Sequence, residues 1–408
     1  MTDSDHTLAQ WAKDATLGIF IHWGLYSVPA WAEPTGAWGN IPPEEWFPHN
    51  AYAEWYANTT RIEGSPAAER HKEIYGDASY YDFLEMWNPS EYDPNEWAAL
   101  FSSIGADYIL PVTKHHDGVA LWDAPGENQL STVTRGPKQD LIGPLADAVR
   151  AHGMRFAVYY SGGLDWARTD YPPIQSLEDI EELRPKGVEY TALATSHMRD
   201  LIDRYQPSLI WNDIEWPDAG KTDGTLDELI AHYRAVVPDG VLNDRWGEKY
   251  WDYRISEYAF DAENEHGTGW EQTRGMGFSF GYNQVEDEAL TITARELAKV
   301  WADIVARGGR LLLNVGPQSS GKIPDIQRRT LEALSPWMLE IKPLTADRSV
   351  LAPGVLELTS GEADSWYRAW RSRDQIIVVV EDPTLEFSSS DGTAVHVVPL
   401  PEATRTAV

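Results

Sequence analysis

Few groups in this chain could act together chemically, and most of them sit where an apolar run stops. Leu209-Ile-Trp-Asn-Asp-Ile-Glu215 carries apolar residues into a carboxylate, Asp213, with Trp211 and Trp216 on either side. Side chains on a strand alternate faces, so Trp211 and Asp213 point one way and Asn212 the other. An aromatic plate beside a strand-end carboxylate offers a ring to stack on a sugar and an anion for a developing oxocarbenium ion. On these residues alone, a strand stopped by a turn-forming Asp is an equal alternative. Other reactive groups fall at comparable places: His22-Trp23, Glu54-Trp55, His115-His116, Tyr159, Arg245 and Glu257. Taken singly, His22 reads as a satisfied core histidine, and Trp55 and Trp211 as core. His115 and His116 look like a metal pair, but neighbours on a strand face opposite ways unless the strand has already ended.

The elements that must position these groups alternate regularly. Apolar strands are expected at Leu17–Gly24, Ala106–Thr113, Met154–Ser161, from Leu209 and at Gly309–Gly316, with a short one at Val241–Trp246 and strand ends at Arg254–Tyr258 and Gly277–Tyr282. A short helix around Leu8–Asp14 precedes the first strand. Further helical stretches fall at Asn95–Ser103, Asp140–His152, Glu189–Tyr205, Thr225–Val237, Thr293–Ala306 and Asp325–Ile341. About eight strands alternating with helices imply an α/β fold, a (β/α)8-like TIM barrel, whose chemistry gathers at the carboxyl ends of its strands. The long stretch from Tyr26 to Pro89, rich in Pro, Trp and Tyr, is expected to wall the site. After Pro343 the pattern becomes short strands and turns. The expected division is therefore a catalytic domain over residues 1–343 and a small antiparallel, β-sandwich-like domain over 344–408.

Composition narrows the partners. A formal net charge of −31 disfavours nucleic acid, anionic membrane surfaces and, more weakly, heavily sulfated polymers. The 19 Trp and 19 Tyr must mostly fill core, but a share of them suits carbohydrate-stacking walls. With no cysteine, disulfides and thiolate metal sites are excluded. The polar, acidic start and the lack of a long apolar run lead to the expectation of a cytoplasmic protein that is not in the membrane.

Nine motifs in order then give a resemblance. His22-Trp-Gly24, Glu54-Trp-Tyr56, Lys114-His-His-Asp-Gly118, Tyr159-Tyr-Ser161, Ile210-Trp-Asn-Asp213, Asn243-Asp-Arg-Trp246, Thr273-Arg-Gly275, Ser279-Phe-Gly-Tyr-Asn283 and Leu311–Pro317 together resemble the retaining α-L-fucosidases, a family of glycoside hydrolases, in their bacterial form. The resemblance runs from about Trp11 to Ile341. It implies an exo-acting enzyme that removes terminal α-L-fucosyl residues from oligosaccharides or glycoconjugates by double displacement. Asp213 would be the nucleophile and Glu257 the general acid/base, with Glu54, Glu215, Glu263 and Glu271 as rivals for the second role. Arg245 would keep Asp213 ionised, and an apolar setting would raise the pKa of Glu257. His22, His115, His116 and Glu54 would bond the sugar hydroxyls, and Trp55, Tyr159 and Trp211 would complete the substrate contacts. Phe20, Tyr52 and Phe280 would form an apolar slot for the C6 methyl. Neither a metal nor an organic cofactor is expected, and a homo-oligomer is compatible with the sequence. Two other readings compete: a metal-dependent barrel hydrolase using His22, His115, His116 and Asp213, and a non-catalytic sugar-binding barrel.

Overall fold

The computed structural model describes residues 8–126, 129–258 and 269–402. Nine parallel segments form its main sheet: β1 (Leu17–Ile21), β2 (Tyr108–Lys114), β3 (Arg155–Phe156), β4 (Val158–Ser161), β5 (Leu209–Asp213), β6 (Val241–Leu242), β7 (Arg254–Glu257), β8 (Trp270–Gly275) and β9 (Arg310–Val315). Their order is β6-β5-β4-β2-β1-β9-β8-β7, with β3 pairing β2 beside β4. Because β3 and β4 are one run interrupted at Ala157, there are eight strand positions, and the curled sheet is the core of a (β/α)8-like barrel. Strands β1, β2, β5 and β9 are buried along their whole length, which is why they read as continuous apolar runs rather than as alternation. Helices join β1 to β2, β2 to β3, β4 to β5, β5 to β6 and β8 to β9. Several begin at side-chain caps, such as Asp93 on Asn95 and Glu96, and the reciprocal pair of Thr293 and Glu296.

The ring is closed unusually at one seam. Among the described residues no strand pairing joins β6 to β7. Instead Asp252 donates its N–H to the Leu242 carbonyl at 2.9 Å and accepts the Leu242 N–H on Oδ2 at 2.7 Å. Arg234, from the helix Thr225–Val236, grips both oxygens of the same carboxylate at 3.0 and 2.8 Å.

Two differences from the sequence reading have physical causes. Gly277–Tyr282 is irregular, and the strand lies earlier, at β8. Its segment Glu271-Gln-Thr-Arg274 lacks apolar alternation because the barrel interior there is ionic. Glu271 accepts from Arg310 at 3.0 Å and from the Tyr108 hydroxyl at 2.5 Å, all three side chains being buried. The second difference is at Val241–Trp246, where only Val241–Leu242 pairs as a strand before the seam begins. The Tyr26–Pro89 region folds as short helices and turns, including Pro43–Trp46, Ala53–Trp55 and Pro66–Tyr75.

Beyond Ile341 come β10 (Arg348–Val350), β11 (Leu356–Ser360), β12 (Tyr367–Ser372), β13 (Gln375–Val380), β14 (Glu386–Ser389) and β15 (Ala394–Pro399). They form a four-stranded sheet, β10-β12-β13-β15, and a two-stranded one, β11-β14. All pairs are antiparallel except β13 with β15. Parity along β13 divides its work: Ile376, Val378 and Val380 pack toward Leu356, Leu358 and Phe387 of the smaller sheet. Ile377 and Val379 join the barrel core, where Trp301 of the helix Ala294–Ala306 meets Trp370 and Trp337. Among the described residues no helix is long and apolar enough to cross a membrane.

The seam yields a prediction. Asp252→Ala leaves Arg234 facing a buried vacancy and Leu242 without its partner, a loss of about 3–5 kcal/mol for breaking a buried pair. A urea titration would read it as a lower midpoint. An unmoved midpoint would mean the seam is held by other contacts.

Candidate active site

A cavity of about 280 Å³ opens at the carboxyl ends of the strands. Every residue assigned a site role from the sequence lines it, which follows from where the strands stop. Phe20 is near the end of β1 and His22 just beyond it; Tyr159 lies on β4, and Trp211 and Asp213 on β5. Tyr159 pairs with Trp211 across the ladder and Ser161 with Asp213, so the parity argument for β5 holds. His115 and His116 follow β2, which ends at Lys114, and this lets both rings reach the cavity with centroids 4.2 Å apart. Tyr52, Glu54 and Trp55 come from the turn at Ala53–Trp55, and Phe280 from the irregular segment after β8. Trp23 and Trp216 do not line the cavity: Trp23 packs against Trp87 and Trp97, and Trp216 stacks on Trp246.

Three side chains at the strand ends form a linked ionic group. Arg245 gives Nη1 to Asp213 Oδ1 and Nη2 to Glu257 Oε1, so one guanidinium holds both carboxylates. The same guanidinium lies 4.7 Å from the centre of the Trp211 ring. Asp213 accepts further bonds from the Tyr159 hydroxyl at 2.6 Å and the Ile214 N–H at 2.7 Å. Burial pushes the pKa of Asp213 up, but Arg245 and the Tyr159 hydrogen bond outweigh burial and leave it below the ordinary carboxylate value. The apolar setting expected for Glu257 is not found, because Arg245 is its direct partner.

The histidines are neutral at pH 7. Burial pushes His22 down to about 3 and His116 to about 4, and also lowers His115. Their tautomers follow from the surroundings. Ser161 gives its proton to the Leu164 carbonyl at 2.7 Å, so at 2.7 Å from His116 Nδ1 it must accept. Asn314 uses its amide N–H on the Phe280 carbonyl, so its Oδ1, 2.6 Å from His22 Nδ1, also accepts. Both rings therefore turn an unprotonated Nε2 away from these partners, as acceptors for hydroxyl groups. Glu54 is the reverse case. Burial raises it to about 8, against the bond from the Gly281 N–H at 2.7 Å, so it is a neutral acid at pH 7.

The remaining expectations sort by position. Tyr52 and Phe280 are in ring contact at 5.4 Å, while the His22 ring stands between Phe280 and Phe20 at 5.1 and 4.3 Å. Of the rival glutamates, Glu215 caps Trp216 N–H outside the cavity, and Glu271 is the buried partner of Arg310, accepting Trp211 Nε1–H at 3.2 Å. Glu263 lies outside the described residues. As a metal site, ligand atoms of His115, His116 and Asp213 fall within 4.8 Å of one another. Asp213 Oδ2 already accepts the Tyr159 hydroxyl and stands 3.6 Å from His116 Nε2.

Sequence reasoning missed Trp38, Trp46, Leu177, Ile180, Glu181, Ile214 and Thr273 in the cavity wall. Trp38 and Trp46 were signalled by the aromatic-rich insertion. The helix Leu177–Glu182 carries no buried residue and gave no signal. Ile214 and Tyr258 each follow a carboxylate of the charged trio, and each takes a left-handed backbone, φ 65° and 54°. That conformation is rare for a β-branched residue.

Comparison with known proteins gives one consistent family. A family model described as Alpha-L-fucosidase matches residues 1–341. The tissue alpha-L-fucosidase of Homo sapiens is 31% identical over 342 residues, spanning 81% of this chain and 67% of its own length. The alpha-L-fucosidase of Dictyostelium discoideum is 29% identical over 342 residues, spanning 81% and 70%. A solved structure of the Thermotoga maritima alpha-fucosidase with a mechanism-based inhibitor is similar at 42% identity and a TM-score of 0.83, covering 92% of this chain and 83% of that one. An alpha-L-fucosynthase from the same organism, carrying an Asp-to-Gly substitution and bound to alpha-L-Fuc-(1-2)-beta-L-Fuc-N3, matches at 42% identity with a TM-score of 0.85 and the same coverage.

Arg245→Met removes the charge that outweighs burial at Asp213. The carboxyl pKa is expected to rise, because burial is then opposed by the Tyr159 hydrogen bond without the arginine, read by carbon-13 NMR titration with Asp213→Asn to assign the signal. A titration that does not move would show that Arg245 is not what keeps Asp213 ionised.

Proposed function

Since this chain belongs to the α-L-fucosidase family, we propose that it is a retaining exo-α-L-fucosidase, with Asp213 as nucleophile and Glu257 as general acid/base. The observation that carries this reading is the guanidinium of Arg245 shared between the two carboxylates. Groups bonded to the two Nη atoms of one arginine favour the short separation of retaining enzymes, ~5–5.5 Å, over the ~6.5–9.5 Å that inverting enzymes leave for water. A cavity of about 280 Å³ lies at the small end of ligand pockets and suits one terminal sugar rather than a chain.

The chemistry follows from the protonation states. Asp213, kept ionised, attacks the anomeric carbon while the glycosidic C–O bond breaks and Glu257 protonates the departing oxygen. In the second half, Glu257 takes a proton from water, which attacks the fucosyl–Asp213 ester and releases fucose with its configuration retained. The unprotonated Nε2 atoms of His22 and His116 accept sugar hydroxyl protons, and the neutral Glu54 donates. A sugar with an inverted hydroxyl leaves one of these buried groups unpaired, which is a strong means of rejection. Tyr52 and Phe280, with Phe20 beyond His22, supply the apolar surface for the C6 methyl.

Asp213→Gly should lower turnover of an aryl α-L-fucoside by about a thousandfold or more, and azide should restore part of it as the inverted fucosyl azide. The wild-type rate is to be measured with and without a chelator. Near-normal turnover by the variant, or loss of wild-type turnover on chelation, would sink the nucleophile assignment.

Glu257→Ala should slow fucosides with poor leaving groups by about 10²–10⁴-fold and activated aryl fucosides far less. Equal losses on both would move the acid/base role to Glu54 or Glu263.

A further inference from the structure

Phe280 reaches the cavity from the stretch 277–281, which belongs to no strand or helix. A backbone without a ladder must satisfy its polar groups elsewhere, and here side chains do so. Glu286 Oε1 accepts the N–H of Phe278 at 2.9 Å and that of Ser279 at 2.8 Å. The Tyr258 hydroxyl donates to the Phe278 carbonyl at 2.8 Å. Asn314 donates to the Phe280 carbonyl at 2.6 Å, and Glu54 accepts the Gly281 N–H at 2.7 Å. Ser279 Oγ accepts the Ala53 N–H at 2.9 Å, which ties the stretch to the turn that carries Glu54.

Glu286 does not line the cavity, yet it is closely fixed. Its turn is tied to the long insertion: Asn283 exchanges two bonds with the backbone of Ala32, at 3.2 and 3.0 Å, and the Gln284 N–H donates to the Ala30 carbonyl at 2.9 Å. The carboxyl group lies against the backbone of Gly277, where a Cβ would fall 2.0 Å from Oε2. Glycine at 277 is what leaves room for it. Burial raises the pKa of Glu286 to about 7, against the two N–H bonds. Oε1 accepts those bonds whether or not the other oxygen carries a proton, so an amide can take the place of the acid.

We propose that Glu286 is a positioning residue for substrate discrimination: by holding the N–H groups of Phe278 and Ser279 it sets Phe280 against the C6 group of the sugar. This rests on the fucosidase reading and on the slot assigned to Phe280. The test measures kcat/KM for an aryl α-L-fucoside and for the aryl α-L-galactoside, which adds a hydroxyl on C6, on one preparation of each protein. Their ratio does not depend on the fraction of protein that is folded, so a loss of stability alone leaves it unmoved. The wild type should favour the fucoside by about 10²-fold, the discrimination an apolar pocket gives against an added hydroxyl. Glu286→Ala should narrow that preference by about tenfold, within the cost of displacing a contact by about 1 Å, and mainly by weakening the fucoside. Glu286→Gln should keep most of it. Glu286→Asp, one methylene short of both N–H groups, gives the same reading should the alanine variant not fold. Phe280→Ala sets the scale and should narrow the ratio at least as far. A ratio left at the wild-type value by Glu286→Ala and Glu286→Asp overturns the role of Glu286, and so does one that Glu286→Gln narrows as far as Glu286→Ala. An unmoved ratio in Phe280→Ala removes the slot, and the role of Glu286 with it. Failure of the wild type to cleave the aryl fucoside would instead overturn the hydrolase reading itself.

Discussion

One guanidinium shared by two carboxylates sets the terms for the rest of the structure. Asp213 and Glu257 arrive on different strands, β5 and β7, and Arg245 is the group in contact with both. Asp213 is buried and Glu257 partly exposed, and two carboxylates held on one group repel unless a cation stands between them. Arg245 removes that penalty, and the Trp211 face beneath it at 4.7 Å limits where the guanidinium can lie. Trp211 is held in turn by its bond to Glu271, deep in the barrel, so the placement of the charged trio reaches down to the ion pair with Arg310.

Around this trio the protein uses burial to set each neighbour's charge. The three histidines are kept unprotonated, although an exposed imidazole would sit close to half-protonated near neutrality. Glu54 is kept protonated by the same effect acting on a group of opposite sign. The result is a pocket in which Arg245 is held between two carboxyl groups while the histidines and Glu54 are neutral dipoles. Such dipoles can match a pattern of hydroxyls without adding net charge to a site where positive charge must develop.

Much of this was legible in the sequence, and the illegible parts share a cause. His22, Tyr159, Trp211 and Asp213 could be placed because strand parity and strand ends are local properties of a chain. The segment Trp270–Gly275 escaped because its interior face is polar, its burial being compensated by Arg310, distant in sequence and invisible to any periodicity. Leu177 and Ile180 escaped for the opposite reason: an acidic helix with no buried residue reads as solvent-facing, and only the path of the chain over the barrel mouth brings it to the cavity. The setting of Glu257 was misread because its partner comes from the neighbouring seam, where no strand pairing was there to be recognised.

That seam has a consequence for how the molecule breathes. Between β6 and β7 the ring is completed mainly by side chains, Asp252 held by Arg234 chief among them, where elsewhere a ladder of backbone bonds does the work. Arg245 and Glu257 stand on either side of it. The amides next to the seam have fewer cooperative neighbours, so their hydrogens should exchange with solvent through local opening well below the global unfolding free energy. Warming would then loosen the spacing of the two carboxylates before the fold itself gives way, and heat would inactivate the protein at a lower temperature than it melts it.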